Sequence, residues 1–213
     1  MGSALAKQLR SPSEKSCVGW VAQKIMAMGN GSDSIDAVSL IRANNGNKPV
    51  IVELGPGAGY ALRKILSPTT GIQPSKVYAI EISEAFRNGI AADEEFATSI
   101  QNGILSLHEN DAKNLDFIPD NSVDVIFGFN VIYFLEPLES YLKEMFRILK
   151  PGGQVVFGVK AVAKNFDPSV YVNTDWGACM DGMESIGFVN GQQGEERLDG
   201  PLAYVPLTAN KPR

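Results

Sequence analysis

The fold of this chain is decided by one stretch, Val50-Ile51-Val52-Glu53-Leu54-Gly55-Pro56-Gly57-Ala58-Gly59-Tyr60. An apolar, largely β-branched run leads into an acidic residue and then into glycine at every second position. The apolar run predicts a buried strand, and glycine lets the backbone of the following loop approach a ligand closely. A helix expected from about Tyr60 to Leu66 would point its unpaired backbone N–H groups at the same place. The stretch therefore predicts a strand, a ligand-binding loop and a helix, in that order.

The chain as a whole has the composition of an ordinary globular protein. Its 213 residues are 44% hydrophobic and 20% charged, which fits a domain with a sizeable core. The net charge is −5 and the basic residues are scattered, so a nucleic acid is not expected as the main partner. No apolar run approaches the roughly 20 residues of a membrane span, and the first ten residues lack the apolar core of a signal peptide. We therefore expect a cytoplasmic protein; the pattern leaves its oligomeric state open.

Strands and helices are predicted to alternate after the glycine loop. The predicted strands are Val50–Leu54, Lys76–Ile82, Ile104–Glu109, Val123–Phe127 and Gln154–Val159. The predicted helices between them are Tyr60–Leu66, Ser83–Ala97 and Pro137–Leu149. Such alternation favours βαβ units and a parallel sheet covered on both faces.

The two ends of the chain follow a different pattern. After a helix predicted near Thr174–Ile186, the stretches Phe188–Arg197 and Leu202–Thr208 predict an antiparallel hairpin at the edge of the sheet. Before the first strand, a helix start at Ser11-Pro12-Ser13-Glu14 and a short helix over Ser34–Ala43 are predicted. The chain should therefore begin with a helical segment and end with a reversed strand pair.

The spacing of the glycines argues against two common nucleotide sites. The dinucleotide fingerprint Gly-x-Gly-x-x-Gly/Ala needs a small residue where this chain has Tyr60. A P-loop needs Gly-Lys-Ser/Thr, and the sequence Gly59-Tyr60-Ala61 does not match it. The loop lacks a basic side chain placed to bind a phosphate group. We therefore predict a ligand that does not present a phosphate to this loop.

Acidic residues follow the next two predicted strands. Glu81 lies at the end of the second strand, where its carboxylate can accept hydrogen bonds from both hydroxyls of a ribose; otherwise it is a solvated charge at a strand end. Asp111 follows the third strand, where it can accept a hydrogen bond from the amino group of an adenine; otherwise it is an ordinary turn residue. With the glycine loop upstream, the acids favour an adenosine-containing ligand.

Taken together, these features resemble the class I S-adenosylmethionine-dependent methyltransferases, in the small-molecule branch often called type 11. The matching stretches are Val50–Tyr60, Val77–Ser83, Asn110–Ala112, Val123–Tyr133 and Arg147–Val156. The resemblance implies an α/β, Rossmann-like, doubly wound and mostly parallel sheet of seven strands with an antiparallel C-terminal hairpin. It also implies that residues 1-48 form a helical segment that caps the active site, and that residues 49-213 form the domain that binds S-adenosylmethionine.

For the glycine loop, the resemblance implies contacts with the cofactor. Gly55, Gly57 and Gly59 would pass under its methionine part and ribose. Glu53 would orient the loop or meet the amino group of the cofactor through water. Pro56 belongs to the same cofactor-binding loop, where it removes one N–H group and stiffens the backbone.

The resemblance also implies cofactor contacts for residues at the ends of the other strands. Glu81 would hold the ribose, and Ile82 would pack on the adenine face. Asp111 and the backbone of Ala112 would read the adenine edge. Asn130, after the fourth strand, would meet the methionine amino group through its backbone carbonyl.

The sequence indicates less about the methyl acceptor than about the cofactor. In-line transfer needs mainly proximity and alignment, and a general base only where the acceptor carries a proton. Tyr133 is the candidate catalytic residue, with core packing as its alternative role, while His108 is expected to be structural. An apolar wall for a small, partly apolar acceptor is predicted from Trp20, Val21, Met26, Tyr133, Phe134, Tyr171 and Trp176. One histidine and two distant cysteines predict no metal site.

Other functions remain as alternatives to a small-molecule methyltransferase. A regulatory subunit that binds the cofactor without turnover would show a damaged loop, whereas this loop looks intact. A methyltransferase acting on a protein remains open, although no basic groove supports it. A nicotinamide oxidoreductase is disfavoured by Tyr60 at the third small position of the fingerprint.

Overall fold

The computed structural model describes residues 48–165, 168–169, 171–197 and 203–213. The predicted helical cap, apart from Lys48, therefore lies outside the described residues, as does the connection between the two stretches predicted to form the hairpin. The described strands are β1 (Val50–Leu54), β2 (Lys76–Ile80), β3 (Leu105–His108), β4 (Val123–Phe129), β5 (Leu149–Lys160), β6 (Val189–Gln193) and β7 (Tyr204–Asn210). The described α-helices are α1 (Tyr60–Leu66), α2 (Glu84–Ala92), α3 (Glu94–Gln101), α4 (Leu138–Ile148) and α5 (Trp176–Ile186).

The seven strands form one mixed sheet in the order β3-β2-β1-β4-β5-β7-β6. The five strands from β3 to β5 are parallel, and β7 runs antiparallel to both β5 and β6. The predicted Rossmann-like sheet with an antiparallel C-terminal hairpin is thus confirmed. The strand order reverses between β1 and β4, and open α/β sheets bind ligands outside the carboxyl ends of the strands at such a point.

Helices cover both faces of the sheet, which explains why its central strands are mostly apolar. On one face, α1, α2 and α3 pack through residues such as Leu62, Ile90 and Phe96, all at most 2% exposed. On the other face, α4 and α5 contribute fully buried side chains that include Leu142 and Met145. Each such side chain stabilises the fold by about 1.5–3 kcal/mol of apolar burial. The doubly wound arrangement leaves the carboxyl ends of the strands free for a site.

Several predicted boundaries differ from the structure for local reasons. The single helix expected over Ser83–Ala97 is wrong, because two helices meet at Asp93, whose side chain accepts a hydrogen bond from the backbone of Glu95 (2.9 Å). Aspartate favours such an N-cap over continuing a helix. Strand β5 begins at Leu149 rather than at Gln154, since Leu149 already pairs with β4. Strand β2 ends before Glu81, which leaves that side chain at the rim of the sheet.

Candidate functional site

A cleft opens at the carboxyl ends of β1, β2 and β4, and it brings most of the predicted cofactor residues together. Nine of the ten predicted residues line it, namely Glu53, Gly55, Pro56, Gly57, Glu81, Ile82, Asp111, Ala112 and Asn130. The exception among the ten is Gly59. The cleft lies at the switch point of the strand order, where the fold itself favours ligand binding.

The glycine loop between β1 and α1 has three left-handed residues. Gly55, Gly57 and Gly59 have φ values of 65°, 55° and 77°, a conformation that side chains disfavour. A Cβ atom on Gly57 would have no described atom within 4 Å, so this position faces open space in the cleft. The start of the loop is held by the end of β2, because the N–H of Gly55 donates to the carbonyl of Ile80 (2.8 Å).

Gly59 serves the packing of the protein and does not line the cleft. A Cβ atom there would lie 2.9 Å from the ring of Phe96 in α3. Gly59 is also the N-cap of α1, and its carbonyl accepts the first helical hydrogen bond, from Arg63 (3.0 Å). The missing side chain of Gly59 therefore makes room for Phe96, and its contact with the cofactor stays a prediction.

Glu81 is joined directly to the glycine loop. Its carboxylate accepts hydrogen bonds from the N–H groups of Gly57 (3.0 Å) and Ser83 (2.8 Å). The side chain is 5% exposed. Burial raises the pKa of Glu81, and the two N–H groups and Arg87 oppose that rise. Since a carboxylate has about four lone-pair sites, both oxygens can still accept hydrogen bonds from a ligand.

Glu53 is the most unusual charged group of the cleft. It is 4% exposed, and its Oε2 atom has no hydrogen-bond partner among the residues that the structure describes. Burial, and then the charge of Glu81, raise the pKa of Glu53 well above its ordinary value. A buried polar atom without a partner is costly and is a common mark of a functional site. Glu53 therefore suits a ligand that brings a positive charge or a hydrogen-bond donor.

Asp111 and Ala112 lie on the opposite side of β2 from the glycine loop, in the segment that follows β3. Burial acts to raise the pKa of Asp111, but hydrogen bonds from Tyr141 and Lys113 hold it below its ordinary value. Lys113 forms an ion pair with this carboxylate at 3.2 Å. Asp111 is thus an ionised acceptor at the cleft, with a tyrosine from α4 beside it.

Asn130 and Tyr133 form a fixed unit after β4. Asn130 has a left-handed backbone, with φ at 57°, and its N–H donates to the carbonyl of Gly158 (2.8 Å). The Tyr133 hydroxyl donates to Oδ1 of Asn130 (2.6 Å) and accepts a hydrogen bond from the N–H of Lys160 (3.1 Å). Tyr133 is 2% exposed and does not line the cleft, so in this arrangement its hydroxyl holds Asn130.

The predicted apolar wall is divided between the cleft surface and the layer behind it. Phe134 lines the cleft. Tyr171 packs behind it, with its ring centroid 5.1 Å from that of Phe134 and 5.7 Å from that of Tyr133. Trp176 lies 6.0 Å from Tyr133 in the same way. The other three predicted wall residues, Trp20, Val21 and Met26, lie outside the described residues.

Sequence reasoning missed several residues that line the cleft, including Phe129, Val131, Leu135 and Tyr141. Two glycines explain how the first two reach it. A Cβ atom on Gly158 would lie 2.1 Å from the ring of Phe129, and one on Gly128 would lie 2.5 Å from Val131. Glycine inside a strand marks a close approach of other atoms, so this signal was present in the sequence. Tyr141 gave no such signal, because it occupies an ordinary position of an amphipathic helix.

His108 lies outside the cleft, at the end of β3. Its ring stacks on Phe117 with centroids 4.2 Å apart, and its Nε2 atom is 3.0 Å from the Ser106 hydroxyl. Among the described residues, no three His, Cys, Asp or Glu side chains are grouped so as to hold a metal ion. In the same part of the chain, none of the helices combines the length and the apolar character that crossing a membrane requires.

Comparison with known proteins bears on the same region. The model of a protein family described as "Methyltransferase domain" matches residues 52–157. The highly reducing polyketide synthase resH of Aspergillus sclerotiorum is 32% identical over 50% of this chain, and the sterol 24-C-methyltransferase ERG6A of Gibberella zeae is 31% identical over 51%. These matches span only 4% of the synthase and 26% of the sterol enzyme.

Solved structures resemble this chain over nearly its whole length. A putative methyltransferase of Haloferax volcanii, solved in complex with the Trm112 methyltransferase activator, has a TM-score of 0.66 at 18% identity. The match covers 92% of this chain and 95% of that one. Phosphoethanolamine N-methyltransferase 2 of Haemonchus contortus, with S-adenosylhomocysteine, has a TM-score of 0.68 at 14% identity, covering 98% of this chain and 61% of that one. At such low identity these likenesses establish the fold.

Proposed function

We propose, from the premise that this chain belongs to the class I S-adenosylmethionine-dependent methyltransferases, that it transfers a methyl group from S-adenosylmethionine to a small, partly apolar molecule. One observation carries the choice of ligand: the cleft is lined by Glu53, Glu81 and Asp111, and by no described lysine or arginine. S-adenosylmethionine carries a sulfonium and an ammonium group and no phosphate. A cleft with three carboxylates favours such a cation and disfavours the pyrophosphate of a dinucleotide.

Each part of the cofactor has residues of the cleft that suit it chemically. Glu81 would accept hydrogen bonds from the ribose hydroxyls through its remaining lone pairs. Gly55, Pro56 and Gly57 would lie along the methionine part, where the bare Gly57 leaves room. The unpartnered oxygen of Glu53 would pair with the cationic amino acid end of the cofactor. These five residues together would fix the cofactor along the carboxyl ends of β1 and β2.

The adenine side of the cleft is formed by residues from two segments, one after β2 and one after β3. Ile82 is 49% exposed and would pack on the adenine face. Asp111 would accept a hydrogen bond from the exocyclic amino group, and the backbone of Ala112 would meet the ring edge. The backbone carbonyl of Asn130 would reach the amino group of the methionine part. A contact of the Gly59 backbone with the cofactor stays a prediction, since the space of its missing side chain is filled by Phe96.

When bound, the cofactor supplies an activated methyl group on a good leaving group. The residues of this chain contribute by holding the acceptor close to that methyl and in line with it, and by excluding water. Apart from Asn130, the cleft residues from the end of β4 onward, up to the start of α4, are apolar, namely Phe129, Val131, Phe134 and Leu135. This surface favours an acceptor with an apolar part, and the similarity to a sterol 24-C-methyltransferase supports the same class.

For Tyr133 we propose a positioning role, in which the hydroxyl acts through Asn130. Its proposed contact with the acceptor, and those of Tyr171, Trp176, Trp20, Val21 and Met26, stay predictions. A cytoplasmic location stays a prediction as well. The glycine loop is intact in the structure, and this supports an enzyme over a cofactor-binding subunit without turnover.

A transfer experiment tests the acceptor class. The protein is incubated with S-adenosylmethionine labelled in the methyl group and with a cell extract divided into small molecules, proteins and nucleic acids. We expect label in the small-molecule fraction that partitions into an organic solvent, and no transfer by the Glu81→Gln variant. Label in the protein fraction would replace the proposal with a protein methyltransferase. Cofactor binding without transfer to any fraction would indicate a regulatory subunit.

A further inference from the structure

Arg147 and Glu144 in α4 do not line the cleft, yet they hold the segment that carries Asp111 and Ala112. The Arg147 guanidinium donates to the backbone carbonyls of Ile118 (3.0 Å) and Leu115 (3.1 Å). The Glu144 carboxylate accepts a hydrogen bond from the N–H of Leu115 at 2.6 Å. Leu115 is thus held through both its N–H and its carbonyl by one pair of side chains.

The two side chains also fix each other. Arg147 donates to both carboxylate oxygens of Glu144, from Nε at 2.8 Å and from Nη2 at 2.7 Å. This two-point pairing matches the planar fork of a guanidinium to a carboxylate. The hydrogen bond from Arg147 is the main cause that lowers the pKa of Glu144, against the effect of burial. The Glu144 side chain is 11% exposed, so this pair is less screened than a surface ion pair.

The held segment has no regular structure of its own. Residues 110–122, all of which the structure describes, form neither a helix nor a strand. Two turns shape it locally, closed by hydrogen bonds from the N–H of Asn114 to the carbonyl of Asp111 (2.8 Å) and from the N–H of Ile118 to the carbonyl of Leu115 (2.7 Å). Hydrogen bonds from other elements then hold these turns in place against the rest of the protein. The backbone carbonyl of Arg147 accepts from the N–H of Asn121 (3.0 Å), and its Nη1 atom also pairs with Asp120.

The same helix reaches the cleft directly. Tyr141 lies one turn before Glu144, is 3% exposed, lines the cleft and donates a hydrogen bond to Asp111. Helix α4 thus fixes the segment at two points, Asp111 at the cleft and Leu115 behind it. A shift of the segment against the helix would displace the Asp111 carboxylate from the ligand edge.

We propose that Arg147 and Glu144 are a positioning pair that sets the preference of this site for adenine over a 6-oxopurine. This inference rests on the proposed function, because it takes Asp111 as the acceptor for the adenine amino group. A 6-oxopurine presents a carbonyl oxygen there, so an ionised Asp111 in the correct place faces a second acceptor and rejects it. The discrimination depends on the position of Asp111, and the pair controls that position.

The test compares the affinities of S-adenosylhomocysteine and S-inosylhomocysteine by calorimetry. Both ligands are titrated into the wild type, Arg147→Lys and Glu144→Gln. Lysine keeps the charge of Arg147 but cannot hold Glu144 and two carbonyls at once. Lys143→Gln is the matched control, since it removes an exposed ion pair with Glu139 on the same helix and leaves the segment untouched.

We expect the wild type and Lys143→Gln to prefer the adenine ligand strongly, by about a hundredfold or more. In Arg147→Lys and Glu144→Gln the preference should fall by about tenfold. The ratio of two affinities does not depend on the folded fraction, because both ligands titrate the same molecules. A pair that only stabilises the fold would lower the thermal midpoint and leave the ratio at the wild-type value, which overturns the inference.

The experiment also separates this inference from the function on which it rests. Wild-type protein that binds neither ligand would overturn the proposed function. Wild-type protein that binds both ligands equally well would leave the cofactor site in place and overturn the adenine preference.

Discussion

At the scale of single residues, Gly57 shows most directly what the glycine loop is for. Its N–H holds Glu81, and its missing side chain leaves the cleft open. Gly59 stands two positions later with a similar backbone angle, yet its missing side chain makes room for Phe96. The sequence predicts three equivalent glycines, because their spacing is regular. What distinguishes them is the position of α3, which no local pattern contains.

Substitution of Gly57 should therefore affect cofactor binding as well as folding. We predict that Gly57→Val weakens S-adenosylmethionine binding at least about tenfold, because the side chain enters the cleft, with a backbone cost of about 1–2 kcal/mol from the positive φ. Gly89→Ala is the control, since a Cβ there also meets no described atom within 4 Å but lies in α2. It should bind normally. Calorimetry measures both, and unchanged affinity in Gly57→Val would contradict the placement of the cofactor.

The Tyr133 hydroxyl allows a positioning role to be separated from a catalytic one. We predict that Tyr133→Phe raises the dissociation constant of S-adenosylmethionine by about fivefold, the equivalent of one net hydrogen bond of about 1 kcal/mol. Tyr78→Phe, which removes a hydroxyl from β2 outside the cleft, should leave the constant unchanged. If kcat falls sharply in Tyr133→Phe while affinity stays at the wild-type value, the hydroxyl acts on the acceptor instead.

At the scale of elements, the sequence predicts strands and helices well where one pattern persists. Helix α1 and strand β1 have the predicted bounds, and α4 differs by one residue at each end. Predictions fail where two signals compete, as at Asp93, where a capping residue ends one helix pattern and begins another. They also fail where pairing decides, as at Leu149, which joins β5 only because β4 lies beside it.

The contact between β4 and β5 sets one wall of the cleft through a glycine. Gly158 leaves room for the ring of Phe129, and we predict that Gly158→Ala lowers the free energy of unfolding by about 1–3 kcal/mol through overpacking. The displaced ring should also weaken cofactor binding. Gly182→Ala is the control, because its Cβ would meet Leu142 in α4 at an ordinary 3.5 Å. Urea unfolding measures the stability of both variants. If Gly158→Ala were as stable as the wild type, the close approach of the Phe129 ring to Gly158 would be contradicted.

At the scale of the whole molecule, the buried carboxylates couple folding to pH. The raised pKa of Glu53 means that the folded protein binds its proton more tightly than the unfolded chain does. Its contribution to stability is therefore present below the ordinary glutamate pKa and is lost as pH rises through the folded value. The raised pKa of Glu81 has an effect in the same direction. Asp111 and Glu144 have lowered pKa values, so their contributions to the stability of the fold are lost only as pH falls through their pKa values in the folded protein.

This coupling gives a prediction for the protein without cofactor. Glu53→Gln should remove part of the loss of stability that the wild type shows as pH rises above the ordinary glutamate pKa, because the amide carries no charge at any pH. The difference in free energy of unfolding between variant and wild type should grow as pH rises. Guanidinium titrations at a series of pH values measure it, and a difference that does not depend on pH would show that Glu53 is not the titrating group.

The residues that line the cleft were largely predictable from the sequence, whereas the side chains that hold its loops in place were not. The strand-end acids and the glycine loop are local features, so nine of the ten predicted cofactor residues line the cleft. The contacts of Tyr141, Glu144 and Arg147 join segments far apart in the chain and follow from packing alone.

Calorimetric titration of S-adenosylmethionine into the wild type and into Glu81→Gln tests whether this cleft binds the cofactor through Glu81. We predict micromolar-range binding to the wild type, weakened at least about tenfold in Glu81→Gln, because hydrogen bonds to a charged group contribute about 1.5–3 kcal/mol. Glu84→Gln, which changes an exposed acid three residues further on, should bind like the wild type. Absence of binding to the wild type would show that this cleft is not a site for S-adenosylmethionine, and equal binding by Glu81→Gln would show that Glu81 does not hold it.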